Sequence, residues 1–95
     1  MEWLKKSGEF ISPKQSETMI DNFSKSIGKG TVTSIYFSRD KVRELLQEED
    51  AVGIRIYFAA NDDGTQTVIL KAVNASGQAI DNKILETGAP CPPYC

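Results

Sequence analysis

Val52-Gly53-Ile54-Arg55-Ile56-Tyr57-Phe58, then the turn Asn61-Asp62-Asp63-Gly64, then Gln66-Thr67-Val68-Ile69-Leu70-Lys71-Ala72-Val73: the fold depends on how this stretch is read. In the first run Val52, Ile54, Ile56 and Phe58 alternate with Gly53, Arg55, Tyr57 and Ala59, the two-residue period of a half-buried strand. In the second, Val68, Leu70 and Ala72 supply the matching inner positions. The turn suits a tight reversal, because Asn and Asp bond back to nearby backbone and glycine adopts positive φ at no steric cost. The two runs predict a hairpin, with Arg55, Tyr57, Ile69 and Val73 on its outer face.

Upstream, Ser12-Pro13-Lys14-Gln15 is a helix start: Ser12 caps, Pro13 takes the first helical position and Gln15 completes a capping box. A helix over 13–27 follows, with Met19, Ile20, Phe23 and Ile27 on one stripe that needs a sheet to cover, and Gly28 closing it. Thr31 to Phe37 is rich in β-branched and aromatic residues and predicts a strand. Ser38 caps a second, shorter helix with Asp40 in its first turn and Val42, Leu45 and Leu46 as its apolar positions. Glu48, Glu49 and Asp50 crowd its C-terminus, where the macrodipole disfavours negative charge, and read as a solvated acidic end. Downstream, Asn74-Ala75-Ser76-Gly77 is another turn, and Ala79-Ile80 with Ile84-Leu85 supply one more short strand or a docking segment.

This order predicts an α+β domain: a small antiparallel or mixed sheet of three to four strands with two helices packed on one face. If the first two strands are neighbours, the helix between them makes a right-handed crossover. Residues 1–11 form an arm docked by Trp3, residues 12–88 the domain, and residues 89–95 a proline-rich tail that can be neither helix nor central strand. The expected core is Phe23, Ile54, Ile56, Phe58, Val68 and Leu70.

At 95 residues there is room for one core. Hydrophobic content of 40% and charged content of 25% argue against wholesale disorder. A net charge of -2 with both signs scattered offers no field to gather nucleic acid or an anionic membrane. The beginning of the chain lacks the apolar run of a secretory signal, so the expected address is cytoplasmic. With no histidine, Ser-His-Asp and Cys-His catalysis are excluded and the commonest neutral metal ligand is missing. No catalytic constellation remains, and no cofactor is expected.

Several motifs fail on context. Gly28-Lys29-Gly30-Thr31 follows a helix and precedes a strand, the reverse of a phosphate loop. Asn61-Asp62-Asp63-Gly64 lacks the twelve-residue ligand spacing and closing glutamate of an EF-hand loop. Asn74-Ala75-Ser76 matters as a glycosylation pattern only in a eukaryotic secretory route. Pro92-Pro93-Tyr94 is one residue short of a WW-domain ligand.

Val52 to Phe58, the glycine-turn hairpin and the ending Cys91-Pro92-Pro93-Tyr94-Cys95 resemble a family of small proteins from Bacteroidota, from about Ser12 onward. That family carries no assigned activity, so the resemblance implies a bacterial, cytoplasmic protein and no catalytic residue. The residues themselves favour a non-enzymatic binding or assembly module that self-associates or binds a protein partner through the outer face, with Tyr57 and Ile69 at a subunit contact. The alternative is a small redox-responsive or metal-handling protein acting through Cys91 and Cys95. A third reading is a small-molecule sensor with Arg55 and Tyr57 near the ligand. For the cysteines, free thiols come first in a reducing cytoplasm, then a reversible disulfide, then metal shared between subunits.

Overall fold

A computed structural model describes residues 2–95. The element order is α1 (Glu2–Lys6), α2 (Pro13–Lys25), β1 (Ser34–Tyr36), α3 (Arg39–Leu46), β2 (Gly53–Ala60), β3 (Gln66–Val73), β4 (Ala79–Leu85) and β5 (Ala89–Cys91). The chain is an α+β fold, with its strands in two antiparallel sheets rather than one: the meander β2-β3-β4 and the pair β1-β5.

Local chemistry starts the helices. Ser12 Oγ accepts the Gln15 N–H at 3.1 Å while Gln15 Oε1 accepts the Ser12 N–H at 3.0 Å, the reciprocal capping box. Ser38 Oγ accepts the Lys41 N–H at 3.4 Å. The arm of residues 1–11 is not featureless, since Glu2–Lys6 is one helical turn closed by a Lys6–Glu2 ion pair at 2.8 Å. Met1 lies outside the described residues.

The two meander turns are built alike. Asn61 and Asn74 donate their N–H groups to Thr65 and Gln78 at 2.8 and 2.9 Å. The glycine three residues after each asparagine, Gly64 or Gly77, holds φ at 89° or 82° and donates back at 2.9 Å. Such positive φ favours glycine at both turns.

Strand β4 carries the one irregularity. Leu70 pairs with Leu85 and Ala72 with Ile80, with a register shift between Lys71 and Ala72. Ile80 and Leu85 are an odd number of positions apart and would face opposite sides of a regular strand. The shift turns both to the core and leaves Asp81 free to pair with Lys71 at 3.0 Å.

The core is Leu45 against Leu70 and Ala72, flanked by Phe37, Ala51, Ile54, Val68, Ile80 and Leu85. Helix α3 packs mainly on β3 and β4. Its acidic end is held to β4: Glu48 accepts a hydrogen bond from Asn82 Nδ2 at 2.8 Å and Glu44 meets Lys83 at 3.8 Å. The expectation of two helices on one face is therefore corrected to one, because no residue of α2 is buried. The expected core is corrected with it: Leu70 is buried, Ile54 and Val68 are half-buried, and Phe23, Ile56 and Phe58 are exposed.

No crossover joins the first two strands, because Ser34–Tyr36 pairs with Ala89–Cys91 instead. Both members of a two-stranded ladder are edges, so Pro90 can point its missing donor outward. Thr33 N–H donates to the Cys91 carbonyl at 2.8 Å and extends the ladder, so the first residues of the proline-rich tail belong to the folded body.

Candidate functional site

The outer face assembles through β2-β3 pairing, which sets Arg55 opposite Lys71, Tyr57 opposite Ile69 and Gly53 opposite Val73. Its polar groups already have partners within the chain. The Arg55 guanidinium lies 5.5 Å from the Trp3 ring centroid and the Lys71 ammonium 5.3 Å from the Tyr57 ring. The Asp81 carboxylate, hydrogen-bonded to Lys71, holds the lysine's pKa above its ordinary value. Val73 is only 3% exposed and lines a hollow with Trp3, Leu4, Gly53 and Arg55, so it is not available on that face. Arg55 is exposed, while Tyr57 and Ile69 are half-buried.

The inner face differs from one edge to the other. Ile54, Ile56 and Phe58 stand opposite Ala72, Leu70 and Val68. Helix α3 lies mainly over β3 and β4, and farther along β2 Ile56 is 58% and Phe58 85% exposed. A second apolar surface, Met19, Ile20 and Phe23 of α2, is also uncovered. Sequence reasoning placed these residues in one shared core; nothing in a stripe or an alternation says that two complementary surfaces stay apart.

A cleft of about 650 Å³ lies between α3, β1 and β4, lined in part by Phe37, Lys41, Glu44, Leu45, Lys83 and Glu86. Three of its charged groups are engaged with neighbours: Lys83 meets Glu44, and Glu86 accepts from the Thr67 and Thr87 hydroxyls at 3.3 and 2.8 Å. Hydrogen bonding from Thr87 and Thr67 lowers the Glu86 pKa, and the Thr65 N–H and hydroxyl lower that of Asp63 in the β2-β3 turn. Both acids are thereby held as carboxylates rather than as proton donors.

Cys91 and Cys95 are joined in a disulfide with their Cα atoms 4.8 Å apart, which corrects the leading expectation of free thiols. Bonded to each other, the sulfurs are not thiolate ligands. Among the described residues, no group of three or more Cys, Asp or Glu side chains converges to hold a metal. No helix there is long and apolar enough to cross a membrane. No protein-family model, no curated protein and no solved structure matches the chain.

Proposed function

We propose that this protein is a non-enzymatic assembly module that associates through apolar surface its own fold leaves open. The observation that carries the reading is the surface itself. The chain exposes 7522 Å² at a mass of 10.5 kDa. A compact monomer of that mass exposes about 5,400 Å². The surplus of about 2,000 Å² is on the scale of one partner's share in a large obligate interface. The radius of gyration, 15.0 Å, likewise exceeds the roughly 12 Å of a compact chain this long.

The inner edge at Ile56 and Phe58 suits this role better than the outer face, because no charge has to be stripped of its partner there. Membership of the Bacteroidota family that the hairpin and tail resemble is part of the same proposal, as is a cytoplasmic address. Sedimentation at micromolar concentration is expected to show a mass above one chain. Phe58→Glu should lower that mass, whereas Ile69→Lys should leave it unchanged; the reverse pattern would return the contact to the outer face. A wild-type monomer that binds no apolar dye would remove the reading altogether.

A second reading rests on the disulfide. It closes a ring of only five residues with Cys95 exposed, so the bond adds little to folding stability and its opening costs the fold little. Two-electron, two-proton reduction by an external dithiol would free both thiols beside the β1-β5 ladder. Equilibration against glutathione buffers tests it. A midpoint within the roughly -180 to -260 mV range of cellular thiol couples supports a redox switch. A bond that survives the most reducing of these buffers would be a structural staple in an oxidising compartment, and would remove the cytoplasmic address with it.

A further inference from the structure

Resting on the assembly reading, we infer that the occupant of the open β2 edge is α2 of a second copy, exchanged reciprocally across a two-fold axis. The two uncovered surfaces of each chain are of complementary kinds: a helix stripe of Met19, Ile20 and Phe23, and a sheet edge carrying Ile56 and Phe58. A helix of 13 residues is marginal in water without a packed face, so α2 needs a partner to persist.

At about 100° per residue, the small Ser16 lies near the middle of the stripe and Gln15, Asn22, Ser24 and Ser26 flank it. Lys14, Asp21 and Lys25 fall on the opposite side, and Glu17 sits at the border beside Ile20. Docking the stripe therefore buries no charge at its centre and leaves Glu17 at the rim, and the inner-face residues across from Ile54, Ile56 and Phe58 are the uncharged Ala72, Leu70 and Val68.

The area reaches that of a standard stable dimer, about 800 Å² per chain, and so accounts for part of the roughly 2,000 Å² surplus. The five exposed side chains each uncover on the order of 100 Å². A two-fold exchange uses all five on both copies and so covers about 1,000 Å² of apolar surface. With roughly 60% of an interface apolar, the total approaches 1,600 Å², the size of a standard stable interface. Residues 26–33 link α2 to β1 and reach at most about 26 Å, enough for the helix to leave its own body.

Reciprocity gives the test. Phe23→Lys and Phe58→Glu each change a side chain exposed in the single chain, so each variant keeps the core under α3, checked by a cooperative denaturant transition, even where α2 frays without its partner. Each alone is expected to halve the sedimenting mass of the wild-type dimer. Mixed one to one they are expected to restore the dimer as a heterodimer, because one of its two contacts is then fully native and the other pairs lysine with glutamate. A mixture that stays monomeric would overturn the exchange, as a symmetrical contact between two β2 strands or two α2 helices predicts. A dimer that survives either substitution would also overturn it while leaving self-association through another surface standing. A wild-type monomer would overturn it too, and apolar dye binding by that monomer would keep the assembly reading alive for a different protein.

Discussion

Leu45→Ala is expected to cost about 2–5 kcal/mol, the range for emptying a well-packed leucine site. Leu45 is 2% exposed and is the one buried residue of α3. It alone brings the helix onto Leu70 and Ala72. Shrinking it opens a cavity that the bulged β4 cannot collapse into, because Ile80 and Leu85 are already pinned by pairing to Ala72 and Leu70. A domain of this size has a total stability of roughly 5–14 kcal/mol, so the variant should lose much of its denaturant midpoint. Ile56→Ala makes the comparison informative: at low concentration, where any assembly has dissociated, its half-exposed side chain should cost far less. Equal losses for the two variants would show that the core is centred on β2 and not under α3.

Gly88→Ala is expected to destabilise by about 1–3 kcal/mol, the usual range for overpacking. A Cβ at Gly88 would overlap Ile35 Cγ2 and lie 2.8 Å from Phe37 Cζ and 2.9 Å from the Tyr36 carbonyl oxygen. The methyl and the ring can rotate away. The carbonyl cannot, because it belongs to the β1 backbone that pairs with Ala89–Cys91. Relief therefore has to come from β1 moving off β5, and Phe37 would carry that displacement into the core it packs against. Hydrogen exchange at the Thr33 N–H, which donates to Cys91, should quicken along with the fall in midpoint. Gly53→Ala serves as control, since nothing lies within 4 Å of a Cβ there. If Gly88→Ala unfolds at the same denaturant concentration as Gly53→Ala, the close approach of β1 to Gly88 does not exist in solution.

Much of the architecture was legible in the order of residues because it is decided within a few positions of each residue. Ser12 with Gln15, and Ser38 ahead of Arg39, start helices where capping chemistry says they must. The two-residue period from Val52 to Phe58 and the Asn61–Gly64 turn give the hairpin its register, and Gln66–Val73 is the strand the alternation implies. The inner and outer sets were separable for the same reason: alternate side chains leave a strand on opposite faces whatever surrounds it.

What only the tertiary structure decided lies farther apart in the chain. Pairing of Ser34–Tyr36 with Ala89–Cys91 joins segments more than fifty residues distant, and a three-residue apolar run fits many edges equally well. Ile80 and Leu85 share a face only because a register shift against β3 lets them, and no single period reveals it. Above all, the stripe on α2 and the alternation on β2 each announce a surface that must be covered, but neither names its cover. Burial is a non-directional term proportional to area, so one sequence pattern serves a helix packed on its own sheet or on a neighbour's. Which of these occurs depends on the whole arrangement of chain, and within the single chain Phe23 and Phe58 stay exposed.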